Sequence, residues 1–317
     1  MNTLLTANDL FEAQRAPLKL KWLAGRAGKD RLLEGAAARF PGMALVGHLN
    51  FVHPNRVQVI GSAEIAYLQR LDSAGRAQAI SDLFTCKTSA AVIVANNEEP
   101  AADLLAASEQ SQMPLFTSPL PSPQLIDDLQ YYLTRALATR ITLHGVFLEV
   151  MSLGVFITGQ SGIGKSELAL ELLSRNHRLI ADDAVEFSRV GPDSLEGQCP
   201  ELLCDFLEVR GLGILNVRRM FGETAVRREK KLHLIVRLEE LTAEAHAHID
   251  RLQAEQKVQI ILGIDIPEVV LYVAPGRNLA VLVEAATRGH ILRLRGFNAF
   301  EEFARKHQAS MSKQSGS

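Results

Sequence analysis

Cysteine is scarce: the 317-residue chain holds three, Cys86, Cys199 and Cys204, an odd number with no closely spaced pair. That pattern fits reduced thiols in a cytoplasm better than a disulfide framework. Cys199 and Cys204 can join a metal site only with a histidine cluster that the sequence does not supply, so inert, buried thiols are the expectation. Long apolar runs are missing too. A stretch such as Ala90 to Ala95 falls far short of the roughly 20 residues that cross a bilayer, so no membrane span is expected. The N-terminus lacks the charged-then-apolar layout of a secretion signal. A strong charge imbalance is also absent: a net charge of −2 offers no broad basic surface for nucleic acid. Internal repeats and extended low-complexity tracts are not found.

Against this plain background one segment stands out. Gly159-Gln160-Ser161-Gly162-Ile163-Gly164-Lys165-Ser166 follows the apolar run Gly154 to Thr158 and precedes the helix-forming run Glu167 to Leu173. This is a phosphate-binding loop between a strand and a helix. Its glycines let backbone N–H groups turn toward phosphate oxygens, Lys165 reaches the β and γ phosphates, and the Ser166 hydroxyl can ligate magnesium. A nucleotide is therefore the expected ligand. A guanine-nucleotide switch is disfavoured, because no Asn-Lys-x-Asp motif occurs and no Asp-x-x-Gly follows the loop.

At about 100–200 residues per domain, the length favours two domains. The proline-rich stretch Thr117 to Pro123 precedes a helix expected from about Pro123 to Ala138, with Ser122 as its cap. Before it, Met43 to Val46, Val57 to Ile60 and Ala90 to Ala95 read as strands, and Ser62 to Leu71 as a helix. These make a small α/β N-terminal domain without a catalytic constellation, in which His48 and His53 read as loop or surface residues. After Arg140 the pattern becomes strand-rich: Ile141 to Val150, Gly154 to Thr158, Arg178 to Ala181, Leu232 to Arg237, Val269 to Val273 and Leu279 to Glu284. The expected boundaries are an α/β domain over residues 1–134, a mixed α/β domain with the nucleotide site over 135–308, and a flexible tail over 309–317. Asn298, followed three residues later by Glu301, reads as the cap of a last helix.

The helix after Lys165 runs away from the loop and the strand Arg178 to Ala181 returns about as far, so Asp182 and Asp183 should arrive beside the phosphates. Adjacent strand residues point to opposite faces. One carboxylate can then face the reacting group while the other serves a metal or a support, and a carboxylate there can take a hydroxyl proton. Further on, Leu207 to Asn216 sets Glu208 and Arg210 on one side of an alternating stretch before a glycine-rich turn. Glu208 can ligate Mg²⁺ and Arg210 can clamp a phosphoryl oxygen, although exposed Glu and Arg around a valine also fit a solvated strand face. The basic pairs Arg218-Arg219 and Arg227-Arg228 with Lys230-Lys231 read as docking surfaces or as solvated charge. Ala274 to Asn278 reads as a turn between two strands whose Arg277 can reach a neighbouring subunit's phosphate. By pattern His144 reads as a core histidine; near the aspartates it would orient or proton-couple the base.

With these landmarks in order, the sequence resembles the bacterial HPr kinase/phosphorylase family over nearly its whole length. The residues that carry the resemblance are His144-Gly145-Val146, the loop from Gly159 to Glu167, Leu179 to Asp183, Glu208 to Val217, and Pro275 to Glu284. The resemblance implies a catalytic domain akin to phosphoenolpyruvate carboxykinase and a hexamer of two-domain subunits. It implies an enzyme that phosphorylates a serine of the phosphocarrier HPr with ATP or pyrophosphate and removes that phosphate with inorganic phosphate. Carried over by motif, Gly159 to Ser166 hold the nucleotide, Ser166 and Glu208 serve Mg²⁺, and Asp183 exchanges the serine proton with His144 nearby. Arg251 matches a catalytic arginine, and Tyr272-Val273-Ala274-Pro275-Gly276-Arg277 match a segment used mainly in dephosphorylation. Gram-positive members carry Pro-Val-Arg-Pro-Gly-Arg there; this chain lacks the first proline and first arginine. A small-molecule or carboxykinase-like kinase and a nucleotide-sensing interaction protein are the competing readings.

Overall fold

The fold was described on a computed structural model, which covers residues 4–33, 45–51, 54–241, 257–298, 302 and 305. The chain divides into two compact units, Met1–Thr139 and Arg140–Ser317. Arg251, His53 and the tail over 309–317 lie outside the described residues, as does most of the last helix expected after Asn298.

The first unit contains β1 (Leu5–Thr6), α1 (Ala7–Gln14), β2 (Lys21–Ala24), β3 (Leu32–Leu33), β4 (Val46–His48), β5 (Val57–Ile60), α2 (Ser62–Arg70) and α3 (Ser73–Thr85). It continues with β6 (Ala91–Val94), α4 (Ala102–Ser111), β7 (Leu115–Thr117) and α5 (Ser122–Ala136). The main sheet has the order β2-β7-β6-β5-β4, parallel except for β2. Every residue of β5 and β6 is buried, because the two faces of the sheet belong to two separate cores. Val57, Val59 and Ile93 pack with Phe11, Leu125 and Leu129, while Ile60, Val92 and Val94 pack with Leu68, Leu83 and Leu104. Continuous apolar strands are what a parallel sheet covered on both faces requires. Pro121, not Ser122, occupies the cap position of α5, and the Asn96 side chain accepts the Ser122 N–H at 2.8 Å.

The second unit starts with β8 (Arg140–His144), β9 (Val146–Val150), β10 (Leu153–Gly159), α6 (Lys165–Ser174), β11 (Arg178–Ala181), β12 (Ala184–Gly191) and β13 (Ser194–Gln198). It ends with β14 (Phe206–Val209), β15 (Gly213–Asn216), α7 (Val217–Phe221), β16 (Glu229–Glu240), β17 (Lys257–Ile261), β18 (Ile264–Val273) and α8 (Leu279–Leu294). The sheet runs β11-β9-β10-β16-β13-β12-β8, with β18 also beside β16 and β17 beside β18. Strands β10, β16 and β18 are parallel, and β9 is antiparallel to both β10 and β11. The carboxyl ends of β10, β11, β16 and β18 therefore meet at one edge. Under one face, Leu168, Ala169 and Leu172 of α6 and Ala280 and Val283 of α8 join Val155, Ile157 and Val236 in one core.

Two strand expectations are corrected. Leu279 to Glu284 is the start of α8, so the turn before it joins a strand to a helix. The Asn278 side chain accepts the Val281 N–H at 2.9 Å, and the buried positions Ala280, Val283, Thr287 and His290 recur at helical spacing. The apolar Ala-Val-Leu-Val run looks extended only when the cap before it is ignored. Ile141 to Val150 is not one strand but two, broken at Gly145, whose φ is +157°. A Cβ there would stand 2.5 Å from the Ile157 carbonyl oxygen, so only glycine permits the break. Among the described residues, no helix is long and apolar enough to cross a membrane.

Candidate functional site

The loop leaves β10 at Gly159, where an added Cβ would lie 2.7 Å from the Leu238 carbonyl oxygen of the neighbouring strand. Glycine at this position lets the loop turn hard against β16 and aim its amides outward. The turn ends at Gly164, the first position before α6, at φ +99°. Lys165 folds back over the loop, its Nζ donating to the carbonyls of Gly159 at 3.0 Å and Gln160 at 2.9 Å. Those are weak neutral acceptors that an incoming phosphate can replace.

A cleft of about 500 Å³ opens over this loop. Ser161, Gly164, Lys165 and Ser166 line one side. Gly145, Asp182 and Asp183 line another, and Glu208 and Arg210 close the third. The sheet edge described above is the cause: β11 delivers the aspartates to the edge where β10 delivers the loop.

Asp182 and Asp183 have opposite surroundings. The Asp182 side chain is buried and accepts the Glu208 N–H at 2.8 Å, and burial pushes its carboxyl above the usual carboxylate range. It pins β14 beside the cleft. Asp183 takes the left-handed conformation, φ +63°, which Asp tolerates better than most side chains. Its backbone oxygen accepts the Gly145 N–H at 3.1 Å, and its side chain remains 78% exposed. His144 Nδ1 stands 3.7 Å from Asp183 Oδ1, on a side chain that is 83% exposed. The expectation of a core histidine is thereby corrected: His144 ends β8 opposite Ala184 of β12, and its ring stands in solvent.

Glu208 and Arg210 share the exposed side of β14 and its turn, while Leu207 and Val209 point into the core. The Arg210 guanidinium reaches over the loop, 3.4 Å from where a Cβ on Gly162 would be. The basic run near residue 227 has a different fate. Arg227 and Lys230 are each 2.8 Å from the buried Glu149 carboxylate. Arg218 is paired with Asp205 at 2.7 Å and also with Glu223. Cys199 is buried, its thiol pushed up to about 12 chiefly by that burial and then by Cys204, which leaves it inert at neutral pH.

The cleft suits a magnesium ion. Its lining carries the carboxylates Glu167, Asp182, Asp183 and Glu208 against the cations Lys165 and Arg210, so a polyphosphate would meet uncompensated negative charge. The Ser166 hydroxyl and the Glu208 carboxylate are hard oxygen donors of the kind Mg²⁺ takes. Mg²⁺ is ordinarily held jointly by one or two carboxylates and the substrate's phosphates; among the described residues no cluster of three His, Cys, Asp or Glu side chains would hold a metal by itself. Glu167 in this lining was not singled out from sequence; its place in the first turn after Lys165 was the available signal. Tyr272 to Arg277 do not line the cleft. They span the last two residues of β18 and the turn after it at the same sheet edge, where Arg277 Nη1 donates to the Tyr272 carbonyl at 3.3 Å.

Similarity to known proteins gives the family. Residues 135–307 match the family model described as HPr Serine kinase C-terminal domain, and residues 5–133 match the HPr Serine kinase N terminus. An HPr kinase/phosphorylase of Chromobacterium violaceum is 51% identical over 303 residues, covering 96% of this chain and 95% of that one. One from Xanthomonas campestris pv. campestris is 48% identical over 308 residues, covering 97% of each. Among solved structures, the Hpr(Ser) kinase/phosphatase of Coxiella burnetii is 34% identical, with a TM-score of 0.46, and matches 51% of this chain and 98% of that one. With both halves of the sequence matched by its models and relatives near half identity end to end, this chain belongs to the HPr kinase/phosphorylase family.

Proposed function

We propose that this protein phosphorylates a serine of HPr, using ATP or pyrophosphate as donor, and removes the same phosphate by phosphorolysis with inorganic phosphate. The observation that carries the reading is the shared cleft: a phosphate loop with its lysine on one side and an exposed carboxylate beside a histidine on the other. An exposed base is what a protein substrate needs, since a serine on another molecule must reach it.

In the forward direction, Asp183 accepts the proton of the serine hydroxyl while that oxygen bonds to the terminal phosphorus of the donor. The bridging P–O bond breaks, and ADP, or phosphate when pyrophosphate is the donor, departs with the electron pair. In reverse, an oxygen of inorganic phosphate attacks the phosphoserine phosphorus and pyrophosphate forms. The serine oxygen leaves and takes its proton from Asp183. His144 orients the carboxylate. Lys165, the loop amides and Arg210 hold the phosphoryl oxygens, a positioning and charge-matching task that dominates this chemistry. Asp182 keeps Glu208 in place through its backbone. Mg²⁺ bound by Ser166 and Glu208 would neutralise phosphate charge. Arg251 is assigned a catalytic role on the family motif, and Tyr272 to Arg277 serve the reverse reaction, with Arg277 reaching a neighbour's site in a homohexamer. The cytoplasm, where HPr and nucleotides meet, is the proposed location.

The test is a two-step incubation of purified protein with HPr. ATP and Mg²⁺ should add one phosphate to a single serine by mass spectrometry. Excess inorganic phosphate should then remove it with stoichiometric pyrophosphate. Absence of the first product rejects the kinase, and release of inorganic phosphate alone in the second step rejects phosphorolysis.

A further inference from the structure

A second cavity, of about 600 Å³, starts at the same loop but on its other side. Thr158, Gly159 and Gln160 form its near wall, the end of β16 its floor, and Gln259 of β17 and Tyr272 of β18 its far wall. The two cavities thus share the loop and diverge from it. Asp183 stands on the β11 side, and this second space on the β16 and β18 side.

The strand register puts the useful side chains on one face. Thr158 is opposite Arg237, Glu239 opposite Tyr272, and Gln259 opposite Ile266, and residues two apart along a strand share a face. Val236, Leu238 and Leu271 take the other face, packed over α6 and α8. The charge in the cavity differs from that in the phosphate cleft. Among the described residues of its lining Arg237 is the one cation, and its Nη2 lies 2.5 and 2.7 Å from the two oxygens of the buried Glu268 carboxylate, which neutralises it. Glu239, opposite Tyr272, adds a carboxylate on this face, whereas Glu240 belongs to the other face by register. Such a space repels phosphate. It offers acceptors for hydroxyl groups, an amide at Gln259 that both donates and accepts, and the half-buried ring of Tyr272, on which a flat heterocycle can stack. Its volume falls in the ordinary range for a small-molecule site.

We infer that this second cavity receives the ribose and base of the nucleotide donor. The inference rests on the reading that the loop holds the donor's phosphates with the transferred group toward Asp183. A nucleotide held that way must lead its uncharged end away from Asp183, toward the side where this cavity opens. The Glu239 carboxylate accepts the ribose hydroxyls, and Tyr272 and Gln259 meet the base. Pyrophosphate, having no nucleoside, leaves the cavity unused.

That difference is the test. In the full-length protein, Gln259→Ala and Glu239→Ala should each raise KM for ATP, and together by about tenfold, the worth of about 1.4 kcal/mol. Phosphorylation of HPr driven by pyrophosphate, and phosphorolysis by inorganic phosphate, should stay within about twofold, since loss of uniform binding moves only the substrate that makes the contact. Calorimetric titration with ATP and with pyrophosphate reads the same split without turnover: ATP binding weakens in the variants and pyrophosphate binding does not. An unchanged affinity for ATP, or an equal loss for both donors, overturns the assignment. If the unsubstituted protein transfers phosphate to HPr from neither donor, the activity reading falls, and the titration still decides the cavity.

Discussion

The two edges of the second unit's sheet treat charge in opposite ways. At the edge away from the loop, Glu149 is nearly buried and within 3.1 Å of Arg178, Arg227 and Lys230. Burial pushes its carboxyl up, but the three cations beside it, Lys230 foremost, outweigh that and hold it below the usual range. A comparable clamp joins α6 to α8, where Glu284 accepts from Arg175 at 2.8 and 2.7 Å and contacts His177 at 3.0 Å. At the loop edge, Lys165 leans on carbonyls of its own loop, and Asp183 and His144 face solvent 3.7 Å apart. Charges that saturate one another hold the fold; those left with spare bonding capacity await a ligand.

Substitutions on the two edges should therefore separate activity from stability. Lys165→Ala is expected to lower transfer in both directions by about 10³-fold or more, because a charge poised at the phosphates is lost. Its thermal midpoint should scarcely move, and a large fall in that midpoint would erase the contrast between the edges. Asp183→Asn should reduce phosphorylation of HPr by about 10²–10³-fold, the range for a removed general base. ATP affinity by titration should be nearly unchanged; a matching loss of affinity would make Asp183 a ligand-holding group instead.

On the opposite edge, Glu149→Ala leaves three cations around an empty pocket and should cost about 3 kcal/mol. That corresponds to about 6–12 °C in thermal midpoint for a unit of this size. The residual folded protein should keep its kcat, and loss of turnover at full stability would show that the edges are coupled. The smallest expected effect is a pH dependence. Arg175, and then His177, pull the Glu284 carboxyl down from its ordinary 4.5 to about 2. Because the folded value is the lower one, the clamp contributes stability above about pH 4.5 and loses it as pH falls through about 2. Acid unfolding of Glu284→Gln should be shallower across that window, and an identical pH profile would mean that the clamp holds nothing.

Much of the site was legible because its signals are local. The loop from Gly159 to Ser166 declares itself through glycine spacing and a lysine, and the return distance from α6 through β11 places Asp182 and Asp183 from arithmetic alone. Alternation along β14 foretold that Glu208 and Arg210 share a side, as their exposure shows. The failures share a cause. His144 looked like a core residue because Ile141 to Val150 reads as one apolar strand, and only the contact of Gly145 with β10 reveals the break. Leu279 to Glu284 looked extended because four apolar residues fit a strand as well as a helix face until the α6 packing is known.

Composition and local pattern were sufficient to determine two α/β units, a phosphate-binding turn and an acidic pair returning to it, since each depends on neighbours within a few dozen residues. Tertiary structure alone decided which carboxylate is buried and which is free, and which arginines are spent on Glu149, Glu268 and Glu284. It also decided that the loop has a second cavity behind it. Those outcomes depend on strand order and register across 30 to 110 residues of intervening chain, and pairings at that range leave no periodic trace in the sequence.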